Sequence, residues 1–482
     1  MFAGRFTLED VESVYISPDM RATSALDLLT SLVEKSLVVK EDAKTLACYR
    51  LHETMREYAG LKLREAGERQ TIELRFVDYY VSRCQGSAFQ ARFELPEWLE
   101  WMDLEIDNVR SVLRRCLSHD DFANGIVLAS SVSWYWITRA TTEGVRWLDE
   151  LLATGRGDPE VDVWAYFIRG FLAVLQSDST AARPALQRAV AAARETGQVI
   201  PLSHSLSMSS IAESMAGDPG SARRFHDEAA EVTSGLDDIT ARVSLLQARA
   251  LNGFFEGDLE AVRSASSEGV RLSREAGDLY SLEMMLLNLG LTALFAGELD
   301  ESRPPFVEAL RIAHRIDDRV AQYALLDALG YNAAMSGRAR LGAQLLGAAE
   351  TVRTGAGATV IAFLVPLLER AEESAVAALG RSRFEAEVNA GKGLSRTTAI
   401  GLALGEPVRV TPVVAHDEGE RLLGKRQAEV ARLVADGLSN KQIGGRLFIS
   451  ERTVDSHIRS ILNKLGFNSR AQIAAWMASA SK

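Results

Sequence analysis

The sequence has few of the features that mark secreted or membrane-spanning chains. Its 482 residues include only three cysteines, Cys48, Cys84 and Cys116, and this odd, widely spaced set argues against a disulfide framework and is typical of a reducing compartment. The longest apolar run, residues 360–368, has nine residues, whereas a membrane-spanning helix needs about 20. Glycine and proline, at 36 and 11 residues, are too scarce for a collagen-like or low-complexity chain. We therefore expect a cytoplasmic protein of several globular domains that does not enter a membrane.

Charge is distributed unevenly along the chain. The formal net charge of the whole chain is −11. Residues 421–482 nevertheless hold 11 Lys and Arg against 4 Asp and Glu, a net charge of +7, which leaves −18 on residues 1–420. A small basic segment joined to a large acidic one suggests contact with a polyanion. A solvated basic helix surface is the alternative, and charge alone does not decide between the two.

A short motif recurs every 40 residues through the middle of the chain. Gly-Asp or Gly-Glu, with Arg six residues after the glycine, starts at Gly217, Gly257 and Gly297, and related copies start at Ser177 and Gly337. The segments between these turns show the apolar spacing of helices. Paired helices with this period predict an α-solenoid similar to tetratricopeptide repeats, although those usually have about 34 residues. We expect the solenoid to receive an effector, either a protein or a small molecule. The repeats themselves indicate no particular ligand.

Aromatic residues are concentrated just before the repeats. Six of the seven tryptophans lie between Trp98 and Trp164. We interpret them as core residues of long helices, because each aromatic side chain buries a large area. A cage for an aromatic ligand is the alternative.

Residues 1–68 have a different pattern. Two short helices are followed by apolar runs at 37–39 and 46–49, which predict a hairpin, and then by a helix from His52 to Ala66. Residues 2–9, 31–38 and 49–58 resemble the winged-helix part of bacterial NB-ARC (STAND-type) regulators. In that family an NTPase core precedes this part, and the present sequence contains no such core. The resemblance therefore implies a winged-helix-like remnant, in which His52 has no nucleotide to contact.

The basic segment predicts three helices in close succession. The first spans residues 425–435, the second 440–447 and the third 451–465. Ser439 and Gln442 form a capping box at the start of the second helix, Ser450 caps the third, and Ser469 with Gln472 caps a fourth and last helix. Because only residues 448–450 separate the second and third helices, the pattern predicts a helix-turn-helix unit.

The third helix has two contrasting faces. Its apolar stripe consists of Val454, Ile458, Ile461, Leu462 and Leu465, and its opposite stripe consists of Arg452, Asp455, Ser456, Arg459 and Asn463. A helix with one core face and one polar, partly cationic face is suited to the major groove of DNA. An ordinary amphipathic helix in a bundle is the alternative.

The segment closely resembles the LuxR-type (FixJ/NarL-like) helix-turn-helix of bacterial transcription factors. The strings that carry the resemblance are residues 437–443, 450–454, 457–458, 464–466 and 469–471. It implies that Thr453, Asp455, Ser456 and Arg459 contact bases or phosphates, and that Asn440, Lys441, Lys464 and Arg470 lie nearer the DNA backbone. The full predicted DNA-binding set is Asn440, Lys441, Ser450, Arg452, Thr453, Val454, Asp455, Ser456, His457, Arg459, Asn463, Lys464 and Arg470. The resemblance also implies a homodimer on DNA through the last helix, whose apolar face is Ile473, Trp476 and Met477.

Two residues of this set have alternative interpretations. Asp455 occupies a position that is basic in several family members. It could accept a hydrogen bond from cytosine N4, or it could pair with Arg459 one helical turn later, which we favour slightly. His457 lies beside the apolar stripe, and we interpret it as a packed or phosphate-contacting residue. A metal ligand is disfavoured, since no Cys or His lies at ligand spacing from it.

No pattern of catalytic residues is recognisable. Residues 419–426 match the first seven positions of a phosphate-binding loop, but Arg426 replaces the hydroxyl that would bind magnesium and no strand precedes the string. We therefore predict no enzymatic activity, no cofactor and no metal site.

The expected fold is mainly α, with four parts. They are a winged-helix-like remnant with one β-hairpin (1–68), a helical, tetratricopeptide-like repeat domain (69–404), a linker (405–420) and a four-helix LuxR-type domain (421–482). The predicted function is sequence-specific regulation of transcription. The alternatives are the C-terminal part of an NTPase-switched STAND regulator and a non-enzymatic helical scaffold.

Overall fold

The computed structural model describes residues 1–15, 22–43, 46–153, 158–406, 423, 425–447, 449–465, 470, 473–474 and 477. It opens with α1 (Leu8–Tyr15) and α2 (Ala22–Glu34), followed by the antiparallel strands β1 (Val38–Ala43) and β2 (Leu46–Leu51), which pair Val38 with Leu51, and by α3 (Glu53–Glu65). The predicted hairpin is confirmed. The first helix begins at a reciprocal cap, because the Asp10 amide donates to Thr7 Oγ1 at 3.3 Å and the Thr7 amide donates to Asp10 Oδ2 at 2.6 Å.

The first strand-and-helix module is joined to two long helices, α4 (Arg69–Ala91) and α5 (Leu95–Ser118). Asn108 of α5 makes the link: its Oδ1 accepts from the amides of Ala3 and Gly4, both at 2.9 Å, and its Nδ2 donates to the Arg5 carbonyl at 2.6 Å. A single apolar core runs from Phe2 into α4 and α5. The N-terminal module and the helices after residue 68 therefore share one continuous core.

An array of helices follows. After α6 (Phe122–Ser131), α7 (Ser133–Thr138) and α8 (Thr141–Leu152) come five helix pairs. The pairs are α9 (Pro159–Leu175) with α10 (Ser179–Thr196), α11 (Val199–Met215) with α12 (Pro219–Ser234), α13 (Ile239–Glu256) with α14 (Leu259–Ala276), α15 (Leu279–Phe295) with α16 (Leu299–Arg315), and α17 (Arg319–Met335) with α18 (Ala339–Ala356). Corresponding helices begin 40 residues apart, as the repeat predicts.

The recurring Gly-Asp pair has a direct structural cause. Gly217 and Gly257 have φ of 80° and 75°, a left-handed conformation that ends one helix and is strained for other residues. The next residue caps the following helix: Asp218 accepts from the Ser221 amide and Asp258 from the Ala261 amide, each at 3.0 Å. One dipeptide thus ends the first helix of a pair and begins the second.

The array closes on itself. The Thr359 amide, just after α18, donates to the carbonyl oxygen of Gln176, at the end of α9, at 3.3 Å. Thr142 Oγ1 lies 3.4 Å from the Ala356 carbonyl oxygen, and Arg139 forms an ion pair with Asp317 at 3.7 Å. These contacts join residues about 180 to 210 positions apart, so the beginning and end of the repeat array meet.

Three further helices cover the end of the array: α19 (Val365–Leu379), α20 (Arg381–Lys392) and α21 (Arg396–Leu404), after a short 3₁₀ turn at Ala362–Leu364. Two glycines let α18 and α20 approach closely. A Cβ on Gly347 would lie 2.1 Å from the Val388 carbonyl oxygen, and one on Gly391 would lie 2.0 Å from the Gln344 carbonyl oxygen. The contact is possible only without side chains there.

The C-terminal segment forms α22 (Lys425–Ala435), α23 (Asn440–Leu447) and α24 (Glu451–Leu465), with the predicted bounds. It has its own apolar core, centred on Val430, Ile443, Val454 and Ile461. The predicted linker lies almost entirely outside the described residues. None of the helices described is long and apolar enough to span a bilayer.

Candidate nucleic-acid interface

The second helix of the C-terminal unit begins at the predicted capping box. The Gln442 amide donates to Ser439 Oγ at 3.3 Å, and the Ser439 amide donates to Gln442 Oε1 at 2.8 Å. At the start of α24 the Thr453 amide donates to Ser450 Oγ at 3.0 Å. Both helices around the turn are thus fixed at their N-terminal ends by local hydrogen bonds.

The turn between α23 and α24 depends on Gly444. Its α-carbon faces the Ile449 carbonyl oxygen, and a Cβ there would lie 2.7 Å from that atom. A Cβ on Gly445 would meet nothing within 4 Å. Of the two glycines that could allow close approach, only Gly444 does so, and it sets the distance between the two helices.

Two residues of α22 hold the other helices in place. Arg426 donates to the carbonyl oxygen of Leu447 at the end of α23 and pairs with Glu429 at 2.6 Å. Gln427 Nε2 donates to Ser460 Oγ of α24 at 2.8 Å. The sequence singled out Arg426 only because it breaks a phosphate-loop pattern. Its structural role depends on a helix-end carbonyl 21 residues away, which no local pattern reveals.

The apolar stripe of α24 lies in the core. Val454 and Ile461 have no exposed surface, and Ile458 is 7% exposed. The prediction that Val454 contacts DNA is therefore wrong, since a side chain without exposed surface cannot reach a ligand. Its role is to orient the helix.

The remaining predicted positions on α24 lie outside this core. Thr453 and Asp455 are half-buried, and Ser450 is exposed at the helix start. The side chains of Arg452, Ser456, Arg459, Asn463 and Lys464 lie outside the described residues, and so does the alternative pairing of Asp455 with Arg459. Their places on the helix follow from its backbone, which is described through Leu465.

Two residues predicted to lie near the DNA backbone, Asn440 and Arg470, contact each other. Arg470 Nη1 donates to Asn440 Oδ1 at 2.6 Å, and the same guanidinium donates to the Leu438 carbonyl oxygen. This pair ties the last segment to the start of α23. Lys441, the next residue, is exposed.

His457 is half-buried next to α22. Burial, and then the nearby Arg426 guanidinium, lower the pKa of His457 below its ordinary value. The imidazole is therefore neutral at pH 7. This agrees with a packed residue, and among the described residues no group of three potential metal ligands occurs.

The last segment corrects another expectation. Ile473 has no exposed surface and belongs to the core of its own domain, and Met477 packs against that core. Trp476, like the predicted cap at residues 469 and 472, lies outside the described residues. Ile473 is thus not available as a dimer contact.

The sequence of this segment matches a known family. The profile of bacterial regulatory proteins of the luxR family matches residues 421–477. A nitrate/nitrite response regulator homologue of Haemophilus influenzae is 56% identical over 48 residues, which cover 10% of this chain and 23% of that protein. The LiaR transcriptional regulatory protein of Bacillus subtilis is 36% identical over 108 residues, covering 22% of this chain and 44% of LiaR.

A longer match extends beyond the C-terminal domain. A Mycobacterium bovis protein named as a helix-turn-helix-type transcriptional regulator is 29% identical over 277 residues, which are 55% of this chain. The match covers only 31% of the mycobacterial protein.

Among solved structures, a STAND protein with a tetratricopeptide repeat sensor from Pyrococcus horikoshii aligns with 85% of this chain and 59% of its own, with 16% identity and a TM-score of 0.42. A Rap protein in complex with competence and sporulation factor aligns with 82% of this chain and 99% of its own, with 12% identity and a TM-score of 0.41. These scores are too low to carry an argument about function. The close match lies at the C-terminus, where residues 421–477 form a helix-turn-helix domain of the LuxR family of bacterial regulatory proteins.

Proposed function

We propose that the whole chain is a sequence-specific, DNA-binding regulator of bacterial transcription that works in the cytoplasm. The observation that carries this proposal is the arrangement of α24. Its apolar side is buried in the core of the domain at Val454, Ile458 and Ile461. Its other side carries Asp455 and Arg459. In a helix-turn-helix, the helix that enters the major groove is held by its apolar face against the core of its own domain.

The charge of the C-terminal segment also favours contact with DNA. The C-terminal segment carries +7, while the rest of the chain carries −18. Cationic side chains that neutralise phosphates contribute most of non-specific DNA affinity. We expect exposed Lys441, at the start of α23, to contact the phosphate backbone and Arg459 to contact bases. Asn440 and Arg470 act there mainly through each other, by orienting the start of α23.

We further propose that the protein binds DNA as a homodimer. Since Ile473 is used inside the domain, the dimer contact involves other positions of the last segment, such as Trp476. The repeat array would receive a protein or small-molecule effector, and no catalytic step is assigned to any part of the chain.

The test is an operator selected from random DNA with the full-length protein. Replacing Arg459 with Ala should weaken binding to that operator by about 1–3 kcal/mol, the value of a bidentate base contact. The matched control is Arg432→Ala, which removes the same charge from an exposed position of α22. It should have a much smaller effect. Equal binding by wild type and Arg459→Ala would remove Arg459 from the reading surface.

The salt dependence of affinity separates this proposal from the scaffold alternative. A DNA-binding protein loses affinity steeply as salt rises, because bound cations are released from the duplex. Absence of any salt-dependent DNA affinity, with the domain folded, would favour a scaffold in which the C-terminal domain has no DNA-binding role.

A further inference from the structure

The helical array contains a large cavity that is open to solvent on one side. Its volume is about 1000 Å³, and its walls come from the end of α4 and from α6, α7, α9, α11, α13 and α15. This is at the upper end of the size of small-molecule sites, which run from about 300 to 1,000 Å³. The cavity lies far along the sequence from the DNA-binding domain and has no part in the contacts assigned to it.

Aromatic rings form a continuous belt along its wall. Trp164 contacts Phe167 at 5.5 Å between ring centroids, and Phe167 contacts Phe171 at 5.9 Å. Phe171 reaches Tyr280 at 6.2 Å, and Tyr280 meets Trp134 edge-on at 5.1 Å. The five rings belong to α7, α9 and α15, so they come from separate layers of the array. Flat ring faces and edges favour a planar guest.

The mouth of the cavity is apolar as well. Phe89 is 78% exposed, Trp164 37%, Val199 47% and Ile200 38%, and all four line the cavity. Large apolar side chains left in solvent around one opening mark a site where an apolar surface is to be covered. The belt and the rim are thus parts of one apolar path from solvent to the interior.

The charged groups of the wall, apart from the exposed Glu160, are already satisfied. Arg92 Nε donates to Asp278 Oδ2 at 2.7 Å, and its Nη2 donates to Ser281 at 3.0 Å. Asp238 accepts from the Ala241 amide at 2.9 Å and from Thr240 at 2.6 Å. Burial lowers the pKa of His204 to about 3, so this side chain is neutral at pH 7. An anionic guest would therefore lose its hydration and gain no unpaired cation among the described lining residues.

Most of the accessible surface of the cavity wall is apolar. Ser130 Oγ and Gln247 Nε2 make no hydrogen bond but are fully buried, whereas Ser133 and Ser244 are half-buried on the wall. A peptide needs a row of donors and acceptors for its backbone, since unpaired amides are costly to bury. Nearby Asn288 already donates to Gln247 Oε1 at 2.9 Å. A mainly apolar wall thus suits a guest with few polar groups better than a peptide, whose backbone carries many.

We propose that this cavity is a binding site for an uncharged, planar aromatic small molecule, which packs against the ring belt and carries few hydrogen-bonding groups. The site would be the effector site of the proposed regulator. The inference rests on the proposed function for that regulatory role alone, since binding itself requires no DNA.

The test uses Nile red, a neutral planar dye whose emission rises in apolar sites, with the full-length protein and no DNA. We expect saturable binding of one dye per chain. Replacing Ala88, a half-buried residue of the cavity wall, with Trp should fill the space and weaken binding at least about tenfold. Ala191→Trp, at an exposed site of α10 outside the wall, is the control and should bind as wild type does. Trp164→Ala, which only removes a ring, gives a second variant if Ala88→Trp does not fold.

Competition tests the chemistry of the guest. Unlabelled 2-naphthol should displace the dye at lower concentration than 2-naphthalenesulfonate, which has the same rings and a negative charge. Three results would overturn the proposal. The sulfonate could displace the dye as well as 2-naphthol does, or a peptide digest could displace it in place of 2-naphthol. Dye binding could also be unchanged in both Ala88→Trp and Trp164→Ala. If the wild-type protein binds the dye at this site but binds no DNA, the proposed function is overturned and the cavity assignment stands.

Discussion

The Ile449 amide donates to the Gly444 carbonyl oxygen at 3.0 Å, while the Gly444 α-carbon faces the carbonyl oxygen of Ile449. A methyl group on Gly444 would enter that contact at 2.7 Å. We expect Gly444→Ala to lower the free energy of unfolding of the C-terminal domain by about 1–3 kcal/mol and to weaken DNA binding. Gly445→Ala, with open space around it, should instead stabilise the helix by up to about 1 kcal/mol. Thermal unfolding of the two variants checks this, and equal effects would contradict it.

Glu283 of α15 has no exposed surface. Burial, followed by the neighbouring carboxylates of Asp318 and Asp278, raises the pKa of Glu283 well above its ordinary 4.5. The folded protein therefore retains a proton that the unfolded chain releases, and stability falls as pH rises above about 4.5. We expect wild type to lose up to about 1.4 kcal/mol per pH unit more than Glu283→Gln between pH 5 and pH 7.

Urea unfolding at several pH values measures the difference. Exposed Glu301→Gln on α16 is the control, and its pH dependence should follow wild type. A Glu283→Gln protein with the same pH dependence as wild type would show that Glu283 is ionised in the folded state.

Gly347 of α18 lies against the backbone of α20. Because a Cβ there would be 2.1 Å from the Val388 carbonyl oxygen, Gly347→Ala must push the two helices apart. We expect the free energy of unfolding to fall by about 1–3 kcal/mol or more. Gly355→Ala, on the same helix with nothing within 4 Å of its Cβ position, should be neutral or stabilising. Chemical denaturation of both variants distinguishes a steric effect from a general intolerance of α18 to substitution.

The acidic part of the chain should restrain the basic domain. Residues 1–404 carry −15 against +4 on residues 405–482, and the acidic part repels DNA phosphates. We therefore expect residues 405–482, whose domain has a core of its own, to bind non-specific DNA more tightly than the full chain at low salt. The difference should shrink as salt rises, since attraction beyond about 10 Å is screened at 0.1 M. Equal affinities at low salt would contradict this prediction.

Local signals made much of the fold predictable. The bounds of α22, α23 and α24, and the 40-residue spacing of the repeats, follow from capping residues and left-handed glycines, which act over three or four neighbours. The capping box of Ser439 and Gln442 is confirmed for the same reason.

Contacts between distant residues were not predictable in this way. The Arg470–Asn440 pair joins residues 30 positions apart, and the Arg426 contact with Leu447 joins residues 21 apart. The burial of Ile473 likewise depends on how the last segment returns to the core. The aromatic residues fit neither sequence interpretation alone: Trp136 is fully buried, whereas Trp134 and Trp164 line the cavity.

The contact between Thr359 and Gln176 changes how the repeat array should come apart. In an open solenoid each repeat touches only its neighbours, so the terminal repeats can fray while the rest stays folded. Here the first and last pairs hold each other, and neither is a free end. Loss of any one pair opens the ring, so the five pairs should melt as a single unit, and a sixth pair inserted between them would leave the two ends without a place to meet.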